Sequence, residues 1–94
     1  MLQVNKDISN VYIAPITEEQ YEGDLVDGRR HGQGKVKRVD GSIYEGLWED
    51  DLPHGLGVET RSDGLTYQGM FDRGSKTGIG RTTMRSGIIY EGYH

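Results

Sequence analysis

Along residues 21–94, large side chains alternate with small or polar ones in short runs, and the runs recur every twenty-three residues. Tyr21-Glu22-Gly23-Asp24-Leu25 returns as Tyr44-Glu45-Gly46-Leu47-Trp48 and again as Tyr67-Gln68-Gly69-Met70-Phe71, and Tyr90-Glu91-Gly92 opens a fourth copy. Strand side chains alternate between faces, so positions 1, 3 and 5 of each run share one face. That face carries a large residue, a bare glycine and another large residue. The glycine leaves room for a ring to lie over the backbone. Position 2 points the other way, toward solvent. No window carries an apolar stripe of helical period, so the pattern predicts strands only.

The glycines are periodic as well. Counted from each tyrosine, positions 3, 12, 14 and 21 are glycine in every complete unit. Asp40-Gly41, Asp63-Gly64 and Ser86-Gly87 separate runs rich in β-branched and aromatic residues. Asp-Gly between extended runs signals a two-residue type I′ hairpin turn. Each unit therefore predicts one hairpin, with a longer loop at about positions 6–12 leading to the next. A two-residue turn sets Tyr44 opposite Lys37, Tyr67 opposite Thr60, Gly69 opposite Val58, Phe71 opposite Leu56 and Tyr90 opposite Thr83. A three-residue turn shifts that register and moves the glycine partners to the other face.

Tyr-Glu-Gly-x-Leu/Trp/Phe-x-x-Gly, then His-Gly-x-Gly, then Asp-Gly, at a period of twenty-three, resembles the MORN repeat. Tyr44-Glu45-Gly46-Leu47-Trp48 and His31-Gly32-Gln33-Gly34 carry the likeness most closely. It covers residues 21–94 as units 21–43, 44–66, 67–89 and a partial unit 90–94. Asp51 in place of glycine, Thr77 in place of histidine and Ser86 in place of aspartate are departures. The resemblance implies an all-β fold: an elongated, twisted, single-layer antiparallel sheet of consecutive hairpins. It implies little about activity: in the family's proteins the repeats are accessory and have been linked to binding of protein or of phospholipid. Residues 1–20 lack glycine and break the pattern. They read as a capping segment with a strand near 10–16 and a turn at 17–20, since stacked arrays need capped ends. The chain stops soon after the fourth unit begins, which reads as a fragment of a longer repeat protein or as a sheet edge that pairs with another chain.

Composition narrows the function. The net charge is −4, and acidic and basic residues are interspersed. No basic stripe exists to follow a phosphate backbone, so nucleic acid is not expected as a ligand. There is no cysteine, hence no disulfide framework or thiolate metal site. The first residues have no apolar core of a secretory signal, so a cytoplasmic location, with cytoskeletal or membrane association as a refinement, is the expectation. His31 and His54 are equivalent, but a hairpin apart they stand roughly 10 Å from each other, too far to share a zinc ion. Glu49-Asp50-Asp51 lacks the ligand spacing of a calcium loop. No nucleophile, base and acid are spaced as a catalytic group, and Gly-x-Gly here opens no helix. The expectation is therefore no enzyme, no cofactor and no metal.

Three functional readings follow. The first is a protein-binding scaffold, because the two-residue turn aligns Tyr44, Trp48, Leu56, Val58, Tyr67, Phe71, Ile79 and Tyr90 on one face. Such a face suits an amphipathic helix or an extended peptide. Trp48→Ala is then expected to abolish partner binding and leave the fold intact. The second is a phospholipid-headgroup site at Arg29, Arg30, Lys35, Lys37 and Arg38, against which the negative net charge counts. The third is self-association into a homo-oligomer through the C-terminal sheet edge.

Overall fold

Residues 18–94 are described in a computed structural model. Among the described residues seven strands follow one another without a helix: β1 (Gln20–Val26), β2 (Arg29–Lys37), β3 (Ile43–Glu49), β4 (Leu52–Thr60), β5 (Thr66–Asp72), β6 (Ser75–Thr83) and β7 (Ile89–Tyr93). Each pairs antiparallel with the next, in the order β1-β2-β3-β4-β5-β6-β7, as one open layer. The expected alternation is reproduced residue by residue in β3 and β5, whereas in β1 only Tyr21 is partly buried and Leu25 is exposed. In β3, Tyr44, Gly46 and Trp48 are buried and Glu45, Leu47 and Glu49 are exposed; β5 repeats this with Tyr67, Gly69 and Phe71. The candidate strand at 10–16 and most of the turn at 17–20 lie outside the described residues.

The two kinds of turn are exchanged relative to expectation. Asp40-Gly41 is the end of a three-residue loop, not a two-residue turn. The Gly41 N–H donates to the Arg38 carbonyl and the Arg38 N–H to the Ser42 carbonyl, both at 2.9 Å. Gly41 has φ 90°, the left-handed residue that completes such a loop. The same bonds close the loops at Gly64 and Gly87. The tight two-residue turns are instead at positions 7–8: Asp27-Gly28, Asp50-Asp51 and Arg73-Gly74, with positive φ at all six residues. Type I′ geometry demands that. The expected long loop at positions 6–12 is therefore mostly strand. It holds a register shift, where β2, β4 and β6 carry extra residues opposite β1, β3 and β5.

The register moves by one residue as a consequence. Tyr44 pairs with Val36, not Lys37; Tyr67 with Glu59, not Thr60; Tyr90 with Thr82, not Thr83. Gly69 meets Gly57 and Phe71 meets Gly55. One glycine from every strand then lines up in a row across the sheet: Gly23, Gly34, Gly46, Gly57, Gly69, Gly80 and Gly92.

The core lies over that row. Four residues of extended strand span roughly 13 Å, yet the Tyr44 and Trp48 ring centroids are 5.2 Å apart. The rings lean inward across bare backbone. A methyl group on Gly57 would overlap the Tyr44 phenol. The rings form one edge-to-face chain: Tyr21 to Trp48 at 5.4 Å, Trp48 to Tyr44, Tyr44 to Phe71 at 4.9 Å, Phe71 to Tyr67 at 5.2 Å, Tyr67 to His94 at 4.7 Å and His94 to Tyr90 at 5.0 Å. Edge-to-face contacts of this kind add about 0.5–1.5 kcal/mol each beyond the area they bury. With Val36, these rings are how a single layer acquires an interior.

Candidate functional site: two unlike faces

On the ring face, each phenol is held by its own strand. The Tyr44 hydroxyl donates to the Leu47 carbonyl at 2.7 Å, the Tyr67 hydroxyl to that of Met70 at 2.8 Å and the Tyr21 hydroxyl to that of Asp24 at 2.7 Å. Burial pushes the Tyr44 phenol up to about 12. Tyr67 and Tyr21 are raised for the same reason. Cations flank the ring chain at two points. The Arg30 guanidinium stands 4.9 Å from the Tyr21 centroid and 5.3 Å from that of Trp48, and Lys76 stands 5.3 Å from that of Tyr67. Glu59, half-buried, accepts Arg38 at 3.2 Å and lies 3.7 Å from Lys76.

The eight residues expected on one docking face are divided between two. Tyr44, Trp48, Tyr67 and Phe71 are packed into the ring chain with exposures of 0–4%, and Tyr90 ends it half exposed. They are interior, and the first four present almost no surface to a partner. Leu56, Val58 and Ile79 stand on the opposite face, because the three-residue loops turn them over. The expectation of one aromatic and aliphatic face is thus corrected.

That opposite face has its own organisation. Leu47, Leu56, Met70 and Ile79 form a row on β3 to β6, next to the glycine row and between 40% and 65% exposed. On the other side of the glycines runs a polar row. It begins Glu22, Lys35, Glu45, continues through Val58 and Gln68, and ends Arg81, Glu91. Between the rows lies an open cleft of about 810 Å³, floored by Gly46, Gly57, Gly69 and Gly80. Arg81 is bonded to Glu91 at 2.7 Å, and among the described residues Glu45 has no ion pair within 4 Å.

The basic set does not converge. Arg29 lies 3.7 Å from Asp50, Arg30 bonds Glu19 at 3.0 Å beneath the rings, and Arg38 is bonded to Glu59. Lys35 and Lys37 share the cleft face, beside Glu22 and Gln20. His54 accepts the Arg73 N–H on Nδ1 at 3.2 Å and lies within 4 Å of Asp72 and Glu49. Among the described residues no three histidine or acidic side chains are placed to hold a metal ion.

Two features of the ring face escape the sequence reading. His94 occupies position 5 of the fourth unit and fills the slot that Trp48 and Phe71 fill earlier. Its ring bonds the Thr82 hydroxyl at 2.7 Å and the Gly92 carbonyl at 2.9 Å. Counting twenty-three residues from Phe71 would have found it. The cation–ring contact made by position 10, at Arg30 and Lys76, has no signal beyond its charge.

A family model for the MORN repeat matches residues 21–43, 44–66 and 67–88. No curated protein sequence matches the chain.

Proposed function

From the premise that this chain belongs to the MORN-repeat family, whose non-catalytic modules bind proteins or membranes, we propose that it is a protein-docking adaptor whose contact surface is the glycine-floored cleft. The observation that carries this is the row Leu47, Leu56, Met70 and Ile79. Four large apolar side chains stand side by side in solvent on a face that, among the described residues, no second layer covers. Contiguous exposed apolar surface of this kind marks an interaction site. The polar row beside it supplies the charged rim that fixes orientation. The buried rings contribute by holding the sheet, and through it the two rows, in place.

The test is selection of peptides from a random library on the immobilised chain, followed by mapping of the bound peptide by amide chemical shifts. Shifts concentrated at Leu47, Leu56, Val58, Met70 and Ile79, and loss of binding in Leu56→Glu with an unchanged circular dichroism spectrum, are expected. Peptides that bind elsewhere and ignore Leu56→Glu would overturn the proposal. So would binding to anionic vesicles, suppressed by salt and by Lys35→Glu with Lys37→Glu but untouched by Leu56→Glu. That result would favour a headgroup site.

A further inference from the structure

The cleft face is complementary to itself. Two copies can meet face to face about a two-fold axis in two simple ways. With the axis across the strands, the polar row of one copy falls on the apolar row of the other. With the axis along the strands, apolar meets apolar and polar meets polar, and the strand order of the second copy is reversed. The offset then decides. If β4 lies over β4, Glu22 faces Glu91 and Lys35 faces Arg81, like on like. If the axis passes between β4 and β5, the charged pairings become opposite in sign and β1, with Glu22, is left without a facing strand. Glu45 faces Arg81, Lys35 faces Glu91 and Val58 faces Gln68, while Leu47 faces Ile79 and Leu56 faces Met70.

We infer that a second copy of this chain occupies the cleft, in this one-strand offset. The inference rests on the cleft being a docking surface and names what docks there. Each axis relates the pairs twice, so four apolar contacts and four opposite-charge contacts form at once. Two sheets related in this way pack with their strands nearly aligned, the usual arrangement of stacked sheets about 10 Å apart. Arg81 is already bonded to Glu91 within one chain. The partner's Glu45 and Lys35 would extend that pair into a row of four alternating charges. Glu45, which lacks an ion partner within 4 Å among the described residues, would gain one. An isologous contact closes on itself, so it yields a dimer and no filament.

The experiment is sedimentation of the 94-residue chain over a range of concentrations, with each variant checked by circular dichroism. Wild type is expected to reach a dimer mass that falls as salt is raised. Glu45→Arg alone and Arg81→Glu alone should weaken the dimer by about tenfold or more, since each creates like-charge contacts twice. The combined Glu45→Arg, Arg81→Glu variant should restore it. Leu56→Glu should be monomeric. A chain that is monomeric at every concentration overturns the inference but leaves the docking proposal standing if selected peptides still map to the cleft. A dimer indifferent to single charge reversals and to Leu56→Glu places the contact elsewhere and also overturns it. Single variants that dissociate with no rescue in the double exclude this offset.

Discussion

The backbone N–H of Arg30 donates to Oδ1 of Asp51, twenty-one residues later, at 2.7 Å. The Asp51 N–H returns a bond to the Arg30 carbonyl at 2.9 Å. One unit on, the equivalent residues are Pro53 and Gly74, and only the second bond exists, with the Gly74 N–H on the Pro53 carbonyl at 2.8 Å. Proline has no N–H to satisfy, so glycine suffices there. Asp51 is thus not an irregular glycine: it tolerates the left-handed turn at φ 72° and supplies the acceptor that Arg30 requires.

That linkage is measurable. Asp51→Asn keeps an acceptor and tolerates the same φ, so it should change stability by about 0.5 kcal/mol or less. Asp51→Gly eases the turn and orphans the Arg30 N–H, effects of about 1 kcal/mol that oppose each other. Arg30→Pro with Asp51→Gly recreates the arrangement one unit on. A double-mutant cycle by urea denaturation should return a coupling of about 0.5–1.5 kcal/mol. Strict additivity would remove the linkage.

Trp48 is interior, so Trp48→Ala should lose the fold, at a cost of about 3–5 kcal/mol, rather than lose a partner. Its indole N–H is buried without a hydrogen-bond partner among the described residues. Phe71 fills the equivalent slot one unit on without such a group. Trp48→Phe should therefore stay within about 1 kcal/mol of wild type, because relief of the orphaned donor offsets the lost area. Thermal melts of the two variants check this; equal destabilisation by both would contradict it.

The period of twenty-three, the strands and the buried faces of β3 and β5 were legible because Tyr44, Gly46 and Trp48, and Tyr67, Gly69 and Phe71, alternate in residue type. The register was not. Asp27-Gly28 carries the same dipeptide signal as Asp40-Gly41, and one extra residue in the second loop turned Leu56, Val58 and Ile79 to the other face. Local propensity ranks turns but does not count their residues. The docking cleft follows only from that count, so a correct unit boundary still led to a wrong face. The basic set failed for a different reason. Arg30 and Arg38 lie within a few residues of Lys35 and Lys37 in sequence but reach across to Glu19 and Glu59.

Tyr44 predicts an alkaline limit. Its phenol is pushed up to about 12 by burial, against an unfolded value of 10.0. Between those values the unfolded chain releases a proton that the folded chain retains. The stabilisation is therefore complete below pH 10 and is lost as pH rises toward about 12. Urea midpoints should fall through that window, and Tyr44→Phe should flatten the fall, leaving the smaller share due to Tyr67 and Tyr21. An unchanged slope in Tyr44→Phe would assign the effect to other groups. Below pH 10 the same variant should cost about 1 kcal/mol, for the lost bond to the Leu47 carbonyl.

Glycine meets two demands here that the sequence writes with one letter, one in the glycine row and one in the loops. Gly57 has no positive φ, but a methyl group there would strike the Tyr44 ring, which is fully buried and hemmed in by Trp48 and Phe71. Gly87 has φ 96° and open space around it. Gly57→Ala should therefore destabilise by overpacking, by about 1–3 kcal/mol, and should disturb the near-ultraviolet signal of the rings. Gly87→Ala should cost about 1 kcal/mol through backbone strain, with that signal unchanged. The two variants thus distinguish crowding from conformation. If both moved the ring signal alike, the view that phenols rest on bare backbone across the sheet would have to be abandoned.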